Sequence, residues 1–85
     1  MKDIFNKLLI LRTPGIGPAK YNALVKKFQS PDAVVEMIGV DNAIRDSVAR
    51  EIDRAHELGV TYVADDDPRY PRALRNIKNH PPVIS

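Results

Sequence analysis

Five residues, Pro14-Gly15-Ile16-Gly17-Pro18, constrain this chain more than any other stretch, because they divide one long amphipathic run into two. Proline inside a helix removes a hydrogen bond and clashes with the preceding turn. At the first helical position its missing N–H costs nothing, so Pro18 marks a helix start. Gly15 and Gly17 permit positive φ and close backbone approach. Before the break, Lys2–Leu11 places Ile4, Leu8 and Leu11 on one helical face, with Phe5 and Leu9 beside it. After it, Pro18–Phe28 repeats apolar residues at Tyr21, Leu24, Val25 and Phe28, the spacing of a buried helical stripe. The pattern predicts two helices joined by a tight turn. Such a turn leaves free backbone N–H groups at the positive end of a helix dipole, a seat for phosphate, and Lys20 adds a full charge on the same side.

Further along, Ser30-Pro31 reads as an N-cap followed by proline at the first helical position, opening a short third helix that ends near Ile38 with Gly39 closing it. Asp41 or Asn42 caps a fourth helix that buries Ile44, Val48, Ile52 and Ala55 and stops at Leu58-Gly59. The period then changes. Val60-Thr61-Tyr62-Val63-Ala64 is rich in β-formers and is ended by Asp65-Asp66-Asp67-Pro68. A single helical turn around Arg72–Leu74 and an extended Pro81-Pro82-Val83-Ile84 complete the chain. The expected fold is mostly α, a bundle of four to five short helices over residues 1–59, with a short strand and an extended tail in residues 60–85. A lone strand requires a partner that the chain does not offer on this reading, so a strand-paired or swapped dimer through the strand or tail is expected. Gly15–Phe28 also aligns without gaps on Gly39–Ile52, matching Gly15/Gly39, Ile16/Val40, Ala19/Ala43, Leu24/Val48, Lys26/Arg50 and Phe28/Ile52. This is either a pseudo-twofold pair of hairpins, the second carrying Asp41 where the first has Gly17, or a coincidence between two amphipathic helix starts.

Net charge is only +2, but it is distributed unevenly. Residues 1–30 set Lys2, Lys7, Arg12, Lys20, Lys26 and Lys27 against Asp3 alone, a net of +5. Residues 31–67 set three arginines against ten acids, a net of −7, and residues 68–85 carry four cations and no acid. The turn therefore lies on a basic segment that suits a polyanion, although charge separated along a sequence can also mix on the folded surface. There is no cysteine, hence no disulfide and no thiolate metal site, in keeping with a reducing cytoplasm. The apolar run Leu8–Leu11 is far too short to span a membrane, and Asp3 and Asn6 do not belong in a signal peptide.

The two helices around Pro-Gly-Ile-Gly-Pro resemble a helix-hairpin-helix, a module that grips nucleic-acid backbone without reading sequence. The resemblance becomes more specific downstream. The hairpin, about thirty residues of further helix, Glu57-Leu58-Gly59-Val60 leading into a strand, Asp67-x-x-Tyr70-Pro71-x-x-Leu74-x-x-Ile77 and Pro81-Pro82-Val83-Ile84 follow one another as in the N-terminal part of the bacterial DNA-processing protein A (DprA/Smf) family. The likeness covers essentially the whole chain. It implies a SAM-like helix-hairpin-helix domain over 1–59, with 60–85 as a linker and the beginning of a truncated Rossmann-like domain. It also implies a cytoplasmic, non-catalytic role in DNA recombination during natural transformation (competence). There the family's Rossmann domain binds single-stranded DNA, dimerises and helps load a RecA-type recombinase. At Ser85 the chain departs from the family, which more often continues with an aromatic or apolar residue.

Gly15, Ile16, Gly17 and Lys20 form the candidate DNA-phosphate seat, and Arg12, Lys26 and Lys27 could extend it. The same turn also reads as a helix–helix connection with Ile16 plugging the core, and the same cations as solvated helix surface. A protein-interaction or regulatory domain with a purely architectural hairpin is thus the competing reading, supported by the ten acids of 31–67. Asp65–Asp67 are expected to cap and turn, because adjacent carboxylates diverge rather than converge on a cation. Tyr70 is expected to dock its segment on the helices, and Arg69, Arg72 and Arg75 could alternatively form a basic stripe. His56 sits near a helix end and His80 in the tail. No nucleophile–base–orienter set, metal-ligand spacing or cofactor motif can be assembled.

Overall fold

Burial is concentrated on one short helix. In the computed structural model, which describes residues 2–85 and side chains from residue 4 onward, Leu8, Leu9 and Ile10 are each at most 1% exposed. They belong to α1 (Lys2–Leu11), which packs against α3 (Pro31–Ile38), α4 (Asn42–Glu57), α2 (Pro18–Phe28) and a small sheet. A single apolar face was the expectation for α1. Instead its C-terminal half is enclosed all round, which is why consecutive residues, Ile10 and even Lys7 among them, are buried. Tyr21, Val34, Val35 and Val48 complete the core, with Ile4, Phe5, Leu24, Phe28, Ile44 and Ile52 packed against it.

The helix ends follow from local chemistry. Ser30 accepts a hydrogen bond from the Ala33 N–H at 3.2 Å, and Pro31 occupies the first position of α3. Gly39, at φ 62°, closes that helix and donates its N–H to Val35 O at 3.2 Å. Asp41 caps α4 by accepting from the Ile44 N–H at 2.9 Å. These are the residue types that satisfy orphan backbone groups at helix termini. A side-chain bond from Asn6 to Asp32 ties α1 to the start of α3.

The C-terminal segment corrects the expectation of an unpaired strand and a free tail. Only β1 (Val63–Ala64) of the anticipated 60–64 stretch is strand. It pairs antiparallel with β2 (Val83–Ile84), in the register Val63↔Ile84 and Ala64↔Val83. The partner is the tail itself. Between the strands runs the one-turn helix α5 (Arg72–Arg75), and Asn79, at φ 61°, bends the chain before His80. The Tyr70 hydroxyl donates to Pro81 O at 2.6 Å, the Asn22 amide donates to His80 O at 3.2 Å, and the Asp65 N–H donates to Pro82 O at 2.9 Å. Tyr70 and Pro82 are buried, and both strands pack on α1. Tyr70 thus fastens the tail, with the helices reached through the sheet.

The sequence repeat is matched by the backbone. Gly15 and Gly39 are both left-handed, at φ 86° and 62°. Gly17 (φ −100°, ψ −174°) and Asp41 (φ −78°, ψ 166°) are both extended N-caps, of α2 and α4. Ile16 and Val40, between them, are both half-buried against the core. No helix among the described residues is long and apolar enough to cross a membrane.

Because Leu9 is fully enclosed, Leu9→Ala is expected to lower unfolding stability by about 2–5 kcal/mol through lost burial and an unfilled cavity. Met37→Ala, on the exposed surface of α3, should stay within about 0.5 kcal/mol. Urea unfolding of both variants checks the contrast.

Candidate nucleic-acid interface

The turn between α1 and α2 is tight and open at its outer side. The Thr13 N–H donates to Ile10 O and the Ile16 N–H to Thr13 O, each at 3.2 Å, while the Thr13 hydroxyl donates to Leu9 O at 2.8 Å. Ile16 packs against the core, as the architectural reading of the turn expects, and Gly15 and Gly17 on either side of it are exposed. Gly17 caps α2 with no side-chain hydrogen bond, and the first helical bond runs from the Tyr21 N–H to Gly17 O at 2.9 Å. The amides of Ala19 and Lys20 therefore lack an intrahelical acceptor, as they do at any helix start. In the matching turn, the Asp41 carboxylate already occupies that position. One helix start is open and the other is closed by an anion of its own.

The cations predicted to accompany this seat divide into three groups. Lys20 and Lys27 are both exposed and, seven residues apart, share one face of α2. Lys27 Nζ also lies 5.5 Å from the Phe28 ring centroid. Lys26 is turned about 120° away from Lys20 around the helix, and it lines a cleft opposite residues 77–80. Arg12 is engaged elsewhere: its Nε and Nη2 meet the two Glu51 oxygens at 3.0 and 2.8 Å, and Glu51 accepts from the Tyr62 hydroxyl at 2.8 Å. The Arg12 hydrogen bond holds Glu51 below its usual pKa, against the opposing effect of burial, and Tyr62 adds to the same direction. The possible Arg69/Arg72/Arg75 stripe is also broken up. Arg69 pairs with Asp67 at 2.9 Å, and Arg75 donates to Asp65 O and Asp67 O while lying over the Tyr70 ring.

Sequence reasoning missed the most constrained polar group. Lys7 is 5% exposed, and its Nζ donates to Asp65 Oδ1 at 3.0 Å and Asp66 Oδ1 at 3.2 Å. Burial disfavours its charge, but hydrogen bonds and attraction from the two carboxylates outweigh burial and raise its pKa. His80 Nε2 meets the other Asp65 oxygen at 2.9 Å, and the His80 ring stands edge-on to Tyr70. Only Asp67 has the turn role expected of the acidic run, accepting from the Arg69 N–H at 2.8 Å. Asp65 and Asp66 converge on a lysine instead. The position of Lys7, three residues after Ile4 and immediately before the apolar run Leu8–Leu11, was the available signal. Among the described residues no three histidine or carboxylate groups are placed to hold a metal ion.

No protein-family model, curated protein or solved structure matches this chain. What can be said of it rests on its own geometry.

The ionisable groups define a pH window. Lys7, Tyr62 and Tyr70 have raised pKa values, Tyr62 chiefly through Glu51 and Tyr70 chiefly through burial. The folded state therefore binds their protons more tightly, and stability falls as pH rises above about 10. Glu51 is lowered, and the Arg69 side chain and N–H hold Asp67 down to about 2. Their contribution is present above about pH 4 and is lost as pH falls through the folded values. Urea midpoints are expected to be flat between and to decline on both sides. Lys7→Met should cost about 1–3 kcal/mol at neutral pH by leaving carboxylates unpaired, and should shallow the alkaline decline. An alkaline limb as steep as in the original chain would show that Lys7 does not supply it.

Proposed function

We propose that this chain is an accessory nucleic-acid-binding domain, non-catalytic, with a SAM-like helix-hairpin-helix fold, from a DNA-processing protein A-like protein. The observation that carries the proposal is the uncapped start of α2 on exposed Gly15 and Gly17 beside Lys20, which makes no ion pair among the described residues, set against the self-capped start of α4. A phosphate would accept from the Ala19 and Lys20 amides, with the helix dipole and the Lys20 ammonium adding attraction. Lys27 would take the next contact along the same face. So few contacts support weak, sequence-independent and salt-sensitive binding. On this reading, most affinity for single-stranded DNA, and the meeting with a RecA-type recombinase in the cytoplasm, belong to the Rossmann-like domain that the family carries.

The competing reading is a protein-interaction domain in which the turn is architectural. The exposed Asp46 and Asp53 of α4 favour it, since they oppose DNA there, although Arg50 lies on the same side and Glu57 is paired with Arg54.

Gly17→Asp separates the two cleanly. Gly17 has an extended backbone that any residue adopts, nothing lies within 4 Å of an added Cβ, and the matching turn already carries aspartate. The variant should fold with equal or slightly higher stability, yet lose roughly tenfold in affinity for a labelled single-stranded oligonucleotide at low salt. Lys20→Glu should weaken binding similarly and reduce the salt slope by about 1. Anisotropy titrations at two salt concentrations measure both. Absence of binding by the unmodified chain at low salt favours the protein-interaction reading.

A further inference from the structure

A second feature lies on the other side of α2, where Lys26 does not join the hairpin face. Tyr21, Asn22, Val25 and Lys26 form one wall of an open cleft of about 580 Å³, and Ile77, Lys78, Asn79 and His80 form the other. That volume is in the range of small-molecule sites and admits a nucleotide unit. Lys26 and Lys78 stand on opposite walls, and neither makes an ion pair among the described residues. Ile77 is 54% exposed, a large apolar side chain held at the lip by a turn in which its N–H donates to Leu74 O. The cleft also contains Asp65 and Asp66, but Lys7 draws both toward the sheet and His80 takes the second Asp65 oxygen. The unpaired charge of the two walls is thus positive, and the apolar Val25 and Ile77 line the same cleft.

We infer that this cleft is a binding site for one nucleotide unit of a nucleic-acid single strand. Lys26 and Lys78 hold the phosphate, and the base lies against Val25 and Ile77. Unpaired bases present flat apolar faces that a duplex conceals, and single-strand sites join a basic groove to side chains against which bases lie, commonly aromatic; here the aliphatic Val25 and Ile77 take that place. Asp66, with its side chain largely exposed, lies on the sheet side of the cleft and shares its charge with Lys7. The inference rests on the proposed nucleic-acid role but not on the hairpin: the two places lie on different faces of α2. The Asn22 amide bond to His80 O holds the two walls together, so the site is part of the folded chain rather than formed by closure.

The experiment uses the 85-residue chain and a labelled, mixed-sequence single-stranded 20-mer at low and moderate salt. Lys78→Glu should weaken binding about tenfold and reduce the salt slope by about 1. Ile77→Ala should weaken it about threefold and leave the slope unchanged, because no charge is removed. Both residues are exposed, and thermal unfolding confirms that the variants fold. In ¹H–¹⁵N spectra a single-stranded tetranucleotide should move the amides of residues 22–26 and 77–80. Loss of binding in Lys78→Glu with Gly17→Asp unaffected supports the cleft and overturns the hairpin contact. Loss in Gly17→Asp with Lys78→Glu and Ile77→Ala unaffected overturns the cleft and leaves the hairpin. A duplex of the same sequence that binds equally and moves the same cleft amides overturns the single-strand assignment. Polyglutamate that displaces the 20-mer from those amides at equal charge concentration shows an unspecific anion surface and also overturns it.

Discussion

A buried ammonium group holds the first helix to the C-terminal segment. Lys7 lies within the enclosed half of α1, and its counter-charges come from the segment that follows β1, 58 and 59 residues later in sequence. Without Asp65 and Asp66 it would be a desolvated cation; without Lys7 the partly buried Asp65 would keep only His80, and Asp66 would lose its contact with α1. A buried pair broken on one side is costly in a way that an absent pair is not. The helical bundle and the C-terminal segment are therefore mutually dependent in this fold. The small sheet has a reason to rest on α1 that two strand residues alone could not supply.

How much of this was readable in advance depends on the range of the interaction. The limits of α2, α3 and α4 follow from Pro18, Ser30-Pro31, Gly39 and Asp41, each of which acts within a few residues of itself. The pairing of Val63–Ala64 with Val83–Ile84 was hidden because it depends on a turn at Asn79 and on Tyr70 reaching Pro81. The engagement of Arg12 by Glu51 joins residues 39 apart, and no local pattern announces it. In the candidate interface the turn itself was legible, glycine by glycine. Its neighbouring cations were not, since a lysine's direction depends on the helix face it occupies and on what packs opposite.

Charge, accordingly, is organised by pairing more than by sequence segment. Of the basic residues near the hairpin, Arg12 is taken up by an acid of α4 and Lys7 by acids of the β1 turn. Arg69 and Arg75 are absorbed by their own loop. The cations left open on α2 and at Lys78 lie on two faces separated by the width of one helix. The basic and acidic thirds of the sequence thus become a mixed surface on which, among the described residues, Lys20, Lys26, Lys27, Lys78, Arg50 and Arg72 are exposed cations without an ion pair.

The two matching turns give the molecule a built-in asymmetry. Their backbones superimpose in kind, with a left-handed glycine, a half-buried aliphatic residue and an extended cap, yet one ends in hydrogen and the other in a carboxylate. A symmetric clamp would present two equal openings and let a polymer bind in either sense. Here the difference of a single side chain at the cap leaves one of the two helix starts open and the other closed, so the repeat is alike in backbone and unlike in charge.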